Sequence, residues 1–108
     1  MLPQHLRLRS SADFASVMKR GRKVLRPTLV LYALPSDRHR FGVVVGKTVG
    51  GAVQRNRVKR QLRHGAASLM SQVSPMSVVV RALPGAAESG VAKDLESAWE
   101  QAVRQVTS

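Results

Sequence analysis

Nine consecutive residues, Arg55-Asn56-Arg57-Val58-Lys59-Arg60-Gln61-Leu62-Arg63, hold five cationic side chains and no acidic one, and few folds can accommodate such a run. Residues 52–70 contain no proline and read as one helix. With Arg55 set at zero and roughly 100° added per residue, Lys59, Arg63, Asn56 and Arg60 fall at roughly 40°, 80°, 100° and 140°. Gly65, Val58, Leu69 and Leu62 fall between roughly 280° and 340°, while Arg57 stands apart near roughly 200°. One face is therefore basic and the opposite face apolar. Arg55/Lys59 and Lys59/Arg63 are like-charge pairs four residues apart, which destabilise a free helix. A solvated surface helix ordinarily mixes signs. This one is expected to pack its apolar face on a sheet and meet polyanion with the other.

The chemistry of the basic face suits phosphate. Arginine offers a planar fork to phosphate oxygens and lysine a point charge. Asn56 adds a neutral donor and acceptor for a ribose hydroxyl or a base edge. Gly50 and Gly51, just before the helix, suit either backbone approach to an anion at the helix N-terminus or a turn that needs positive φ. Over the whole chain 18 Lys and Arg face 6 Asp and Glu, a net charge of +12. A small domain so charged repels itself, and a nucleic-acid partner offsets that repulsion. The charge lies before residue 85: the segment 85–108 has two basic and four acidic residues and is expected to be scaffold. A membrane surface is the rival polyanion, but a membrane-bound helix needs bulky apolar side chains where this one has Val58, Leu62, Leu69 and a glycine.

The rest of the chain divides into short elements. Its 108 residues are enough for one domain. Cysteine is absent, which excludes a disulfide framework and thiolate-bound zinc. The apolar runs are too short to span a bilayer, and no signal peptide is evident, so a cytoplasmic location is expected. Ser10 followed by Asp13 predicts a helix start, with the helix over 11–20 and Gly21 as its stop. Residues 23–25 suggest a short strand. Residues 28–34 and 40–46 suggest two strands paired as a hairpin around the turn 35–39. A strand over 77–83 and a helix over 89–106 complete the series. The last helix carries Val91, Leu95, Ala98, Trp99, Ala102, Val103 and Val106 as one stripe, so Trp99 is expected to be structural. Helix-strand-strand-strand-helix-strand-helix, with few strands and helices to one side, predicts an α+β two-layer sandwich.

The string RNRVKRQLR, entered through KTVGGAV, resembles the signature of the protein component of bacterial ribonuclease P. Arg7-Leu8-Arg9 followed by Asp13-Phe14 and Gly21 is similar to that family's N-terminal segment, LVLYAL and RFGVVVGK to its central strands, and VVVRALPGA to the strand and turn before its last helix. The resemblance implies an α+β sandwich with a left-handed β-α-β crossover, shared with a domain of ribosomal protein S5. It implies a large catalytic RNA as partner, one protein per RNA, and precursor tRNA as substrate, whose 5′ leader the holoenzyme removes. Hydrolysis would be performed by magnesium held mainly by the RNA, with the protein broadening the range of substrates. Carried over by position, Lys47, Arg55, Asn56, Arg57, Lys59, Arg60 and Arg63 would bind RNA. Phe14, Val30 and Tyr32 would line a cleft for the single-stranded leader. Val30 and Tyr32 share one strand face, and aromatic rings beside a basic helix can stack on unpaired bases.

Three positions depart from the family's habit: Met18 where a second aromatic is frequent, Val44 where a small polar residue is, and Thr48 where a second lysine follows Lys47. Two other functions are compatible with a basic α+β chain. A structural rRNA-binding protein needs no open groove beside Tyr32. A self-sufficient nuclease needs convergent acid-base groups. His5, His39 and His64 are scattered along the chain, and Asp13 and Asp37 form no carboxylate pair for two metals.

Overall fold

The computed structural model describes residues 7, 8, 10–88 and 90–107. Helix α1 spans Ser11–Arg20, and strands β1, β2 and β3 span Arg22–Leu25, Leu29–Pro35 and Arg40–Val44. Helix α2 spans Ala52–Met70, strand β4 Met76–Ala82 and helix α3 Val91–Thr107. Short 3₁₀ turns at Lys47–Val49 and Pro84–Ala87 lead into α2 and α3. Helix α1 starts as its sequence requires, with the Asp13 amide donating to Ser10 Oγ at 3.1 Å. It stops at Gly21, whose backbone turns extended with φ −78° and ψ 165°, and only glycine fits there: a Cβ would lie 2.6 Å from the Val17 carbonyl oxygen and 2.8 Å from that of Ala33. Helix α3 begins at Val91, the first residue of its apolar stripe and two residues after the expected start at 89, because Gly90 takes φ +90°, outside the helical region.

The four strands lie in the order β1-β2-β4-β3. The expected hairpin is therefore not formed. β2 pairs antiparallel with β1 and β4, and β3 pairs parallel with β4. Burial decides the order. Val78, Val79 and Val80 are all buried, so β4 is apolar on both faces and takes an inner position. The link from β2 to β3 then passes the entrance to β4. There Ser36 N–H donates to the Pro75 carbonyl at 3.4 Å, and His39 Nε2 lies 3.1 Å from the Val73 carbonyl oxygen. The parallel pair β3 and β4 is joined through α2.

Alternation along the strands divides the core. Leu29, Leu31, Ala33, Val78 and Val80 face α2 and α3, where Val58, Leu62, Leu95 and Trp99 are fully packed. Gly65 lets the two helices close up, with Leu95 Cδ2 2.8 Å from where its Cβ would stand. Phe41 and Trp99 meet with ring centroids 6.2 Å apart. Asp94 fastens α3 to the start of β2 by accepting from Thr28 N–H at 3.0 Å and Thr28 Oγ at 2.6 Å. The main body is thus a sheet with two helices on one face. Helix α1 crosses the other face, packing Val17, Phe14 and Met18 over Val30, Tyr32 and Val79.

Candidate nucleic-acid interface

Helix α2 presents its charge as the spacing requires. Val58, Leu62, Ala66 and Met70 are buried. Asn56, Arg57 and Arg60 are exposed, and Arg55, Lys59 and Arg63 lie half-buried along the boundary of the packed face. Asn56, Lys59, Arg60, Gln61, Arg63 and His64 converge on one concave surface of the helix. Burial, and then the charge of Arg7, lower the pKa of Arg63 from its ordinary value. A guanidinium held beside another cation gains when an anion arrives. No acidic residue occurs between Asp37 and Glu88, so this field has no internal counter-charge along that length of chain. Lys47 is exposed in the 3₁₀ turn before α2, as is Thr48.

The glycine pair before α2 serves the turn. Gly50 takes φ +154°, and a Cβ there would meet the Gln54 side chain. The amide of Gly51 donates to Gln54 Oε1 at 2.8 Å, so the side chain of Gln54 occupies that N–H of the helix start.

A groove of about 560 Å³ runs between α1 and the end of β3. Ser11, Phe14, Ala15 and Met18 form one wall, Val43, Val44 and Val45 the other, and Lys59 of α2 reaches it. Of the three residues expected to line a cleft, Phe14 does. Val30 and Tyr32 lie beneath α1 at 6% and 7% exposure, within the cluster that holds Val17 and Val79. The strand alternation placed them on the correct face of the sheet, but α1 covers that part of the face. Met18 and Val44, two departures from the family habit, are themselves lining residues.

The histidines and acids lie apart in their contacts. His39 is tied to the Val73 carbonyl, His64 is exposed on α2, and Asp13 makes a 4.0 Å ion pair with Arg40. His5 lies outside the described residues. Among the described residues no three His, Cys, Asp or Glu side chains converge as a metal site would require, and no helix is long and apolar enough to cross a membrane.

A sheet backed by two helices, a third helix walling a groove, and an acid-free basic helix beside that groove define a small α+β nucleic-acid-binding protein. The model of the family described as Ribonuclease P matches residues 2–106. The ribonuclease P protein component of Acidothermus cellulolyticus is 46% identical over 98 residues, which is 86% of this chain and 82% of the relative. That of Streptomyces bikiniensis is 45% identical over 116 residues, covering 94% of each. In structure, the ribonuclease P protein of Staphylococcus aureus superposes with TM-score 0.77 at 26% identity over 93% of this chain and 94% of the other. That of Thermotoga maritima shares the fold, with TM-score 0.73 at 23% identity over 91% and 96%. The chain belongs to the ribonuclease P protein family, whose role lies in tRNA 5′ maturation; a structural ribosomal role is not favoured.

Proposed function

We propose that this protein is the RNA-binding subunit of a ribonuclease P holoenzyme, and that hydrolysis resides in the RNA component. One observation carries the reading: the basic face of α2 and the groove beside α1 adjoin through Lys59. A folded RNA neutralises the helix face. An unpaired strand fits the groove, where the Phe14 ring and the Met18 thioether offer apolar surface and Lys59 offers charge. That strand is the 5′ leader of precursor tRNA. Magnesium is held mainly by the RNA and supplies the activated water. The chain's own residues bind, orient and shield the leader. One protein serves one RNA, in the cytoplasm.

The test is reconstitution. Protein and RNA component are assayed separately and together on precursor tRNA across a magnesium series. The protein alone is expected not to cleave, and to raise cleavage by the RNA at low magnesium. Metal-dependent cleavage by RNA-free protein would falsify the assignment of catalysis to the RNA.

A further inference from the structure

Strand β4 is buried at Met76, Ser77, Val78, Val79, Val80 and Ala82, and Arg81 is its one exposed residue. The register fixes where Arg81 stands. It pairs with Val30 of β2 on one side and Val44 of β3 on the other, and Val30 in turn pairs with Leu25 of β1. Directly paired residues share a sheet face, so Leu25, Val30, Arg81 and Val44 form one row on the face that carries α1. Val44 lines the groove already described, and Arg81 stands one strand spacing, about 4.8 Å, further in. Val30 is covered by α1 at 6% exposure, so the open part of the row beside the groove is Val44, 37% exposed, and Arg81.

Arg81 is the single charge in that row. Among the described residues its side chain has no ion pair and no hydrogen bond. The acid described on this side of the sheet, Asp13, is engaged by Arg40. The Arg81 guanidinium stands at the penultimate position of β4. Here it interrupts an apolar row on an inner strand, with no partner.

We infer that Arg81 is a positioning residue for the strand in the groove, clamping one phosphodiester beside the apolar contact of Val44. The inference rests on the groove holding the leader. Its chemistry is the bidentate pairing of a guanidinium with two phosphate oxygens. Together with Lys59, which lines the groove with Val44, it gives the bound strand two cationic points and so a register.

The experiment compares holoenzymes carrying wild-type protein, Arg81→Gln and Arg81→Lys, titrated across salt with leader-bearing and leaderless tRNA. Arg81→Gln is expected to lose roughly threefold to tenfold in affinity for the leader-bearing substrate alone, the effect of one charged contact at a partly solvated site. Its salt slope should fall by about 0.7, the value for one single-strand phosphate. Arg81→Lys should keep the slope and lose part of the affinity. Affinity for the RNA component and melting temperature should not move. If wild-type holoenzyme prefers leader-bearing tRNA and Arg81→Gln keeps that preference and slope, the clamp is refuted while the groove reading stands. Equal loss on both substrates places Arg81 against another part of the RNA and also refutes it. A wild-type holoenzyme indifferent to the leader removes the groove reading itself, and the clamp with it.

Discussion

The ring of Phe14 lies on the backbone of Gly42: a Cβ built on that glycine would fall 2.5 Å from the ring carbons Cε1 and Cζ. Helix α1 can approach β3 only because the position has no side chain, and the groove wall is set by that approach. Gly42→Ala is expected to lower stability by about 1–3 kcal/mol through overpacking. The check is a double-mutant cycle by thermal or urea melting. In a Phe14→Ala background the added methyl should cost much less, because the atoms it meets have gone. Equal cost in both backgrounds would show that the ring is not what the methyl meets.

Trp99 is 1% exposed and touches Phe41 across the interface of α3 with the sheet. Trp99→Ala is expected to cost about 3–5 kcal/mol, seen as a lowered urea midpoint. RNA affinity per folded molecule should hold. Loss of RNA binding at unchanged stability would make the α3 stripe a contact surface instead.

Asp94 holds the amide and the hydroxyl of Thr28. Asp94→Ala leaves that amide without its acceptor and is expected to cost about 1–3 kcal/mol. The measurement is again the melting curve, and a Thr28→Ala, Asp94→Ala pair should cost less than the sum of the single changes.

What the sequence makes legible follows the range over which each signal acts. The limits of α2 and the buried stripe of α3 depend on neighbours three and four residues away, and both emerge as expected. The hairpin does not, because the pairing of β2 and β3 is decided by β4, more than thirty residues downstream. Alternation puts Val30 and Tyr32 on one face but says nothing of the helix that covers them. Met18, Val44 and Lys59 come together from three elements, so no local pattern marks the groove. Arg81 reads in sequence as a lone cation in a strand, and only the register sets it in a row with Val44. The clasp of Asp94 on Thr28 spans 66 positions and has no sequence signal.

The basic helix and the groove should separate by mutation. Arg60 is exposed on the face of α2 that has no acid, so its chief product is a field on phosphates. Arg60→Ala is expected to weaken binding of the RNA component and to flatten its salt slope by about 0.9 if the contact is to duplex phosphate. Met18 lines the groove and carries no charge. Its thioether offers apolar contact but no ring face, and stacking on a base is worth roughly 1–3 kcal/mol. Met18→Phe should therefore tighten binding of leader-bearing tRNA by the holoenzyme, by about fivefold at the low end of that range. It should leave the salt slope and the leaderless substrate unchanged. Met18→Ala should act in the opposite direction on the same substrate alone. The measurement is one titration matrix, three variants against two tRNAs at several salt concentrations, with melting curves as the control on folding. If both Met18 variants shift the two tRNAs equally, or only the melting temperature moves, Met18 is core packing for α1 and the groove does not hold the leader at that point.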